Sequence, residues 1–184
     1  NSNLSGGEKV NLYMKNSDGS GPTDRLTTRN YHQMPKCWSA DGKVLIYTEW
    51  THSDTTKGSD LAETGMDVWM LPIDGRSPPK PFLNTQFNEI NPALSPDGQW
   101  LAYASDEPGE YEVFVCSFPG HENKMRVSTG GGTEPVWAPD GKELYYRNIT
   151  GSKLFVVPIN GFPKLNFGKP MLLFQGNFAP DGFF

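Results

Sequence analysis

Ser95-Pro96-Asp97-Gly98 is a turn sequence with an apolar run on each side, and near-copies of it recur along the chain. The copies are Ser39-Ala40-Asp41-Gly42, Ala138-Pro139-Asp140-Gly141 and Ala179-Pro180-Asp181-Gly182. Asp-Gly between two apolar runs is a strong hairpin signal, because glycine adopts the positive φ that a tight turn requires. The four aspartates are separated by 56, 43 and 41 residues. The two later intervals match the period of a four-stranded propeller blade.

The runs around each turn align into one repeated unit of four strands. A short apolar strand precedes the turn, a strand with aromatic residues follows it, and a third strand and an outer strand complete the unit. The third strands are apolar on both faces, which is typical of strands buried between two layers. The alignment predicts a partial blade over residues 8–30, full blades over about 35–85, 91–129 and 134–175, and the start of another blade over 176–184.

A β-sandwich is the alternative architecture for many short strands. A sandwich does not require four copies of one strand-turn-strand unit in the same order, whereas blade repetition does. The sequence therefore predicts an all-β fold, a β-propeller of four-stranded antiparallel blades, as an incomplete ring of about three and a half to four blades.

The incomplete ring has two interpretations. Either the chain closes into a small four-bladed ring, or it is a segment of a six- to eight-bladed propeller. The second is favoured because the hairpin at 179–184 has its turn but almost none of its second strand. An open ring exposes an apolar blade face, so we expect self-association through open blade edges or contact with further blades.

Composition and motifs exclude several functions. The net charge is −5 and the Lys and Arg residues are scattered, which argues against nucleic acid as a partner. No run of about eighteen apolar residues occurs, so we expect no membrane insertion. The sequence contains no Gly-x-Ser-x-Gly elbow, no His-x-x-x-His pair and no Gly-x-x-x-x-Gly-Lys loop. We therefore predict no enzyme activity, no cofactor and no metal.

The long first interval reflects an insertion over residues 50–65, between the second and third strands of the first full blade. Asp54, Asp60 and Glu63 offer oxygen atoms to Ca²⁺ there, but they lack the Asp-x-Asp-x-Asp-Gly spacing of a calcium loop. A solvated loop is the favoured interpretation.

One face of the predicted propeller is a candidate recognition surface. Loops that join the second strand to the third, and one blade to the next, share a face, while the Asp-Gly turns lie on the other. Aromatic residues mixed with carboxylates and amides are typical of peptide or small-ligand binding. The alternative is that these are ordinary loop residues. The residues expected on this face are Tyr31, His32, Gln33, Trp50, His52, Phe87, Asn88, Glu89, Glu107, Thr133 and Glu134.

The repeated unit Pro/Trp-Ser-Pro-Asp-Gly-x-x-Leu-x-Tyr resembles the TolB-type β-propeller repeat, over nearly the whole chain. Several stretches are similar to one subgroup, the propeller attached to bacterial serine/threonine kinases, which also occurs as free-standing TolB-like proteins. These stretches are 38–43, 46–49, 112–115, 118–120 and 127–135. In one departure from the pattern, Ala40 stands where the other turns have proline.

The resemblance implies a sensing or protein-binding module that is extracytoplasmic, often periplasmic, in many relatives. The family's motif residues build blades and carry no catalysis, so no active-site residue is implied. The expected function is a non-catalytic module that binds protein or peptide through its loop face. The alternatives are a sensor or regulatory domain of a larger bacterial serine/threonine kinase, and the accessory propeller of a peptidase.

Overall fold

The computed structural model describes residues 10–51, 65–161 and 165–176, and every regular element within these ranges is a β-strand. The strands are β1 (Tyr13–Met14), β2 (Asp24–Arg25), β3 (His32–Trp38), β4 (Val44–Trp50), β5 (Met66–Pro72), β6 (Lys80–Leu83), β7 (Glu89–Leu94), β8 (Trp100–Ser105), β9 (Glu112–Ser117), β10 (Met125–Arg126), β11 (Thr133–Trp137), β12 (Glu143–Arg147), β13 (Lys153–Asn160), β14 (Asn166–Phe167) and β15 (Met171–Gln175). None of the described residues forms a helix that is long and apolar enough to cross a membrane.

The strands form antiparallel sheets in chain order, and each sheet is one blade. Blade 1 is the pair β1–β2, blade 2 is β3-β4-β5-β6, and blade 3 is β7-β8-β9-β10. Blade 4 runs β11-β12-β13, and both β14 and β15 pair with the far edge of β13. The predicted fold class, an incomplete propeller of four-stranded antiparallel blades, is confirmed.

The first strand of each full blade lies innermost, beside the first strands of its neighbours. Strand β7 contacts both β3 and β11. The thiol of Cys37 donates to the backbone oxygen of Pro92 at 3.7 Å, and Trp137 Nε1 donates to the backbone oxygen of Ala93 at 3.0 Å. These contacts join β3, β7 and β11 across the blades, so the three strands lie along a common axis.

The apolar core is divided among the spaces between blades. Successive residues of a strand point to opposite faces, so each strand serves two cores. In β8, Leu101 and Tyr103 pack in the core with blade 2, whereas Trp100 and Ala102 pack in the core with blade 4. A third core lies between blades 1 and 2 around Tyr47. This arrangement excludes the sandwich, which has one core between two layers.

The Asp-Gly turns close the hairpins between first and second strands. In blade 3, Gly98 N donates to the backbone oxygen of Ser95 at 2.9 Å, and Gln99 N donates to Asp97 Oδ1 at 3.1 Å. Gly98 has a φ of +69°, in the left-handed region that glycine adopts without strain. The other two described turns, at residues 39–42 and 138–141, have the same backbone hydrogen bond.

The strand bounds differ from the sequence-based prediction in two ways. The first strands begin before the predicted starts of their blades, at Glu89 rather than at about residue 91 in blade 3, because a β-bulge accommodates the proline and pairing continues beyond it. Strand β14 was not predicted. The fourth Asp-Gly copy, at 179–182, and most of the insertion, at 52–64, lie outside the described residues.

Candidate functional site

The candidate surface lies at the end of the blades where first strands begin and second strands end, here called the loop end. The register brings the two kinds of strand terminus together, because His32 pairs with Trp50 and Thr133 pairs with Arg147. The Asp-Gly turns occupy the opposite end, here called the turn end. His52 lies outside the described residues.

An aromatic cluster stands at the loop end of blade 2. The rings of His32 and Trp50 are tilted against each other with centroids 6.4 Å apart, and Trp50 remains 38 % exposed. The guanidinium of Arg29 lies 5.6 Å from the Tyr31 ring centroid and 4.1 Å from that of Trp69. Arg29 is itself paired with the buried Glu49 at 2.9 Å, which fixes its position. The cluster thus holds the exposed Trp50 ring in place, which suits the anchoring of a peptide side chain.

Asn88 connects two blades. Its side-chain Nδ2 donates to Asp106 Oδ2 at 2.5 Å, and its Oδ1 accepts from the backbone N–H of Met66 at 3.0 Å. The neighbouring Phe87 is half-buried, and its backbone N–H donates to Thr85 Oγ1 at 3.1 Å. These bonds tie the loop between blades 2 and 3 to both blades and fix its shape.

Glu107 is exposed and forms a surface ion pair with Lys124. Such pairs contribute little to stability, and their charges remain available to a partner.

Two of the sequence-predicted residues, Gln33 and Glu89, lie under this surface instead of on it. Gln33 is buried, accepts from Thr27 Oγ1 and donates through Nε2 to Glu49 Oε2 at 2.6 Å. Glu89 is buried and accepts from Thr85 Oγ1 at 2.5 Å. Neither side chain is exposed to a bound protein or peptide. Both instead hold the loop end in place from beneath.

Four buried carboxylates form that support, and the sequence reasoning identified only one of them. They are Glu49, Asp67, Glu89 and Glu112. The best satisfied is Glu112, which accepts from Arg126 at 2.6 Å, from Ser128, and from the backbone N–H groups of Gly130 and Gly131 at 2.8 and 3.2 Å. Burial raises the pKa of Glu112, but the hydrogen bonds from Ser128 and Gly131 and the charge of Arg126 outweigh it, so the net pKa lies below its ordinary value.

Glu89 is the opposite case. Burial raises its pKa to about 7, and the nearby Asp67 carboxylate adds to the rise, whereas the Thr85 hydroxyl and the more distant Lys124 lower it. Glu89 Oε2 has no hydrogen-bond partner among the described residues. The group sits between blades 2 and 3, since Thr85 and Asp67 belong to the blade 2 side.

Bulged residues of the innermost strands line the axis at the loop end. Asn91 and Glu134 each precede a proline and each have a φ of +52°, which is uncommon for residues other than glycine. Lys36 lies in the corresponding bulge of β3. A bulge turns a side chain out of the regular alternation, and strained backbone of this kind is concentrated at binding sites.

These axial side chains contact one another across three blades. Lys36 Nζ donates to Asn91 Oδ1 at 3.3 Å, and Asn91 Nδ2 donates to Thr133 Oγ1 at 3.3 Å. Glu134 pairs with Arg147 at 3.0 Å. Sequence reasoning included Thr133 and Glu134 but missed the other three residues. The signal available was the Asn-Pro and Glu-Pro pairs at the same place in consecutive repeats.

A groove of about 520 Å³ opens between blades 3 and 4 at the loop end. Its walls combine the carboxylates Asp106 and Glu110 with the Tyr111 ring and the half-exposed Ile149. The described residues contain no cluster of three or more His, Cys, Asp and Glu side chains that fits a metal ion. The arrangement as a whole can bind through apolar contact, hydrogen bonds and charge.

No family model matches the chain. Among curated proteins, it is 29 % identical over 73 residues to the Tol-Pal system protein TolB of Desulfosudis oleivorans, which covers 40 % of this chain and 16 % of that protein. It is also 32 % identical over 66 residues to an uncharacterized peptidase of Bacillus subtilis, with 35 % of this chain and 10 % of the peptidase covered. The matched segments are thus short parts of both relatives.

Solved structures match over most of this chain. A TolB candidate from Agrobacterium tumefaciens has a TM-score of 0.65 at 18 % identity, covering 94 % of this chain and 61 % of its own. TolB from Acinetobacter baumannii has a TM-score of 0.58 at 18 % identity, over 87 % and 38 %. A puromycin-hydrolyzing peptidase of Mycobacterium tuberculosis has a TM-score of 0.60 at 18 % identity, over 86 % and 26 %. At this level of identity the likeness concerns the fold, and the fold of this chain is that of a TolB-like β-propeller.

Proposed function

We propose that this chain is a non-catalytic TolB-like propeller module that binds a protein or peptide through its loop end. The observation that carries the proposal is the combination found there: an aromatic pair of half-buried His32 and exposed Trp50, an acidic groove, and a polar row on the axis. Aromatic anchors beside polar groups are typical of peptide recognition.

The support under the loop end favours binding, because it holds the surface in one shape. The Thr27–Gln33–Glu49 hydrogen bonds join blade 1 to blade 2, and the Asn88–Asp106 bonds join the next interblade loop to blade 3. A surface held in this way loses little conformational entropy when a partner binds, so more of the contact energy appears as affinity.

A peptide selection tests the proposal. A random peptide library displayed on phage is selected against the immobilised chain, and the affinities of the recovered peptides are measured by calorimetry. Alanine at Trp50, Phe87 and Glu134, singly and together, should weaken binding, with a loss of about 2 kcal/mol or more expected at an aromatic anchor. Unchanged affinities in all these variants would refute loop-end binding.

Trp38→Ala is the matched control. Trp38 and Trp50 belong to the same blade and are exposed to similar extents, 45 % and 38 %, but Trp38 lies at the turn end. Binding that depends on the loop end tolerates Trp38→Ala. Equal losses in Trp38→Ala and Trp50→Ala would indicate a general effect on folding.

Two alternatives remain open as proposals. The short match to a Bacillus subtilis peptidase and the structural likeness to a Mycobacterium tuberculosis peptidase favour an accessory propeller of a hydrolase. The sequence resemblance alone favours the sensor domain of a serine/threonine kinase. The sequence encoded on both sides of this chain distinguishes the binding module from these two alternatives, because a hydrolase or a kinase requires a catalytic domain next to the propeller. A hydrolase screen on this chain alone should show no turnover in any of the three cases.

The proposed setting is extracytoplasmic, as the sequence resemblance implies. Fractionation of cells that express the full reading frame tests this location, and recovery of the protein in the cytoplasmic fraction would contradict it.

A further inference from the structure

We propose that Lys36, Asn91 and Thr133 form a binding site for a carboxylate group on the propeller axis. The three side chains come from the innermost strands of three successive blades. Their polar atoms contact one another directly, from Lys36 Nζ to Asn91 and from Asn91 to Thr133. All three residues are half-buried, so part of the row is exposed to solvent.

The hydrogen bonds within this axial row are long. Both measure 3.3 Å, whereas well-formed N–H···O bonds measure about 2.7–3.2 Å. An ammonium has three donors, and among the described residues Lys36 Nζ donates to one acceptor, Asn91 Oδ1. The row therefore has donor capacity that a better acceptor would use.

The charge of the row also favours an anion. The Glu134 carboxylate attracts the Lys36 ammonium electrostatically, but Glu134 Oε2 is already paired with Arg147 at 3.0 Å. Lys36, Arg147 and Glu134 together leave one net positive charge on the axis, in a chain whose net charge is −5. Lys36 is half-buried, and burial lowers the pKa of its ammonium although the Glu134 carboxylate raises it.

A single carboxylate fits these donors and this charge. One oxygen accepts from the Lys36 ammonium, and the other accepts from the Thr133 hydroxyl or the Asn91 amide. The ammonium of Lys36 now donates to a neutral amide oxygen at 3.3 Å, whereas a bond between an ammonium and a carboxylate measures about 2.7–2.9 Å. A carboxylate therefore replaces this long bond with a shorter one between opposite charges. A phosphate dianion carries one more negative charge than the row neutralises.

The inference rests on the proposed function and deepens it, because it names the chemical class of ligand that the axial part of the loop end accepts. The carboxylate has two sources in a peptide, the free C-terminus and an Asp or Glu side chain. Three probes separate them: N-acetyl-triglycine, its C-terminal amide, and N-acetyl-Gly-Glu-Gly amide.

The test is a titration of the isotope-labelled chain with each probe, followed by NMR at the Asn91 side-chain amide and the Lys36 ammonium. We expect saturable shifts of these signals with N-acetyl-triglycine, with the glutamate probe, or with both, and binding at least about tenfold weaker with triglycine amide. The wild-type titration needs no variant to fold. Absence of saturable shifts with both carboxylate probes, or equal binding of the neutral amide, would overturn the inference.

Variants locate the effect. Lys36→Met keeps the aliphatic stem and should weaken carboxylate binding about tenfold, whereas Lys142→Met, at the exposed turn end, should leave it unchanged. Unchanged binding in a folded Lys36→Met variant would assign the carboxylate to another site. The two proposals fail separately: loss of peptide selection in Trp50→Ala reports on the loop-end surface, and the probe titration reports on the axial row.

Discussion

Glu89 shows how the blades make a single carboxyl group unusual. The side chain is buried between blades 2 and 3, and its pKa is about 7 against an ordinary 4.5. The folded chain therefore holds a proton on Glu89 over a pH range in which the unfolded chain has lost it. By linkage, the contribution of Glu89 to stability is fully present below about pH 4.5 and is lost as the pH rises through about 7.

The first prediction follows from this linkage. Between about pH 5 and about pH 8 the free energy of unfolding should fall by about 2–3 kcal/mol through Glu89 alone. Glu89→Gln carries no charge and should remove most of that fall, because the amide keeps the shape of the protonated acid. Urea unfolding at the two pH values measures the effect.

Glu107→Gln is the control for this prediction. It also removes a carboxylate, but an exposed one in a surface ion pair, so the wild-type pH dependence should persist. A wild-type free energy of unfolding that stays level or increases over the same pH range would contradict a raised pKa of the buried Glu89.

At the scale of the strand and turn, the Asp-Gly hairpins explain why the blades were predictable. A turn that needs a left-handed glycine is encoded locally, so Gly98 and its equivalents identify a hairpin without any tertiary information. Strand order within a blade follows, because neighbouring strands are consecutive in the chain. The same strand order shows which loops lie at the end of the blades opposite the Asp-Gly turns.

The second prediction concerns Gly98. A Cβ at this position would meet only the Ala40 side chain at 3.6 Å, an ordinary contact, so the cost of Gly98→Ala is backbone strain. We expect a loss of about 1–2 kcal/mol in the free energy of unfolding, and a smaller loss for Gly98→Asn, since asparagine tolerates left-handed φ. Chemical denaturation of both variants gives the comparison, and an alanine variant as stable as the asparagine variant would argue against the turn geometry.

The buried side chains of the loop end were less predictable, because their environment comes from other blades. Gln33 and Glu89 stand at strand starts, where a sequence alone indicates exposed loop residues. Their hydrogen-bond donors, Thr27 and Thr85, each follow the outer strand of the preceding blade. The axial role of Lys36 was missed for the same reason, since its partner Asn91 is 55 residues away.

At the scale of the whole molecule, the main consequence of an open set of blades is that the outer side of blade 4 is exposed. Val136 and Phe174 are 59 % and 58 % exposed, and the whole strand β15 is exposed with them. The other full blades bury their equivalent faces against a neighbour. Contiguous apolar surface of this kind is uncommon on a monomer.

The third prediction is that this surface drives self-association of the chain. Sedimentation velocity should show a coefficient that rises with protein concentration, and a double variant, Val136→Lys with Phe174→Lys, should sediment as a monomer throughout. Trp38→Lys is the control: Trp38 is exposed to a comparable extent but lies at the turn end, so this variant should sediment like the wild type. A wild-type coefficient independent of concentration would refute the prediction.

The propeller requires the innermost strands of neighbouring blades to lie side by side, and the most direct test is the hydrogen bond between Trp137 and Ala93. In a nuclear Overhauser experiment on the labelled chain, the Trp137 indole proton should show cross-peaks to protons of Ala93 and Leu94, because Nε1 lies 3.0 Å from the Ala93 oxygen. Cross-peaks from that proton to residues of blade 4 alone, with none to β7, would contradict the radial arrangement of the blades.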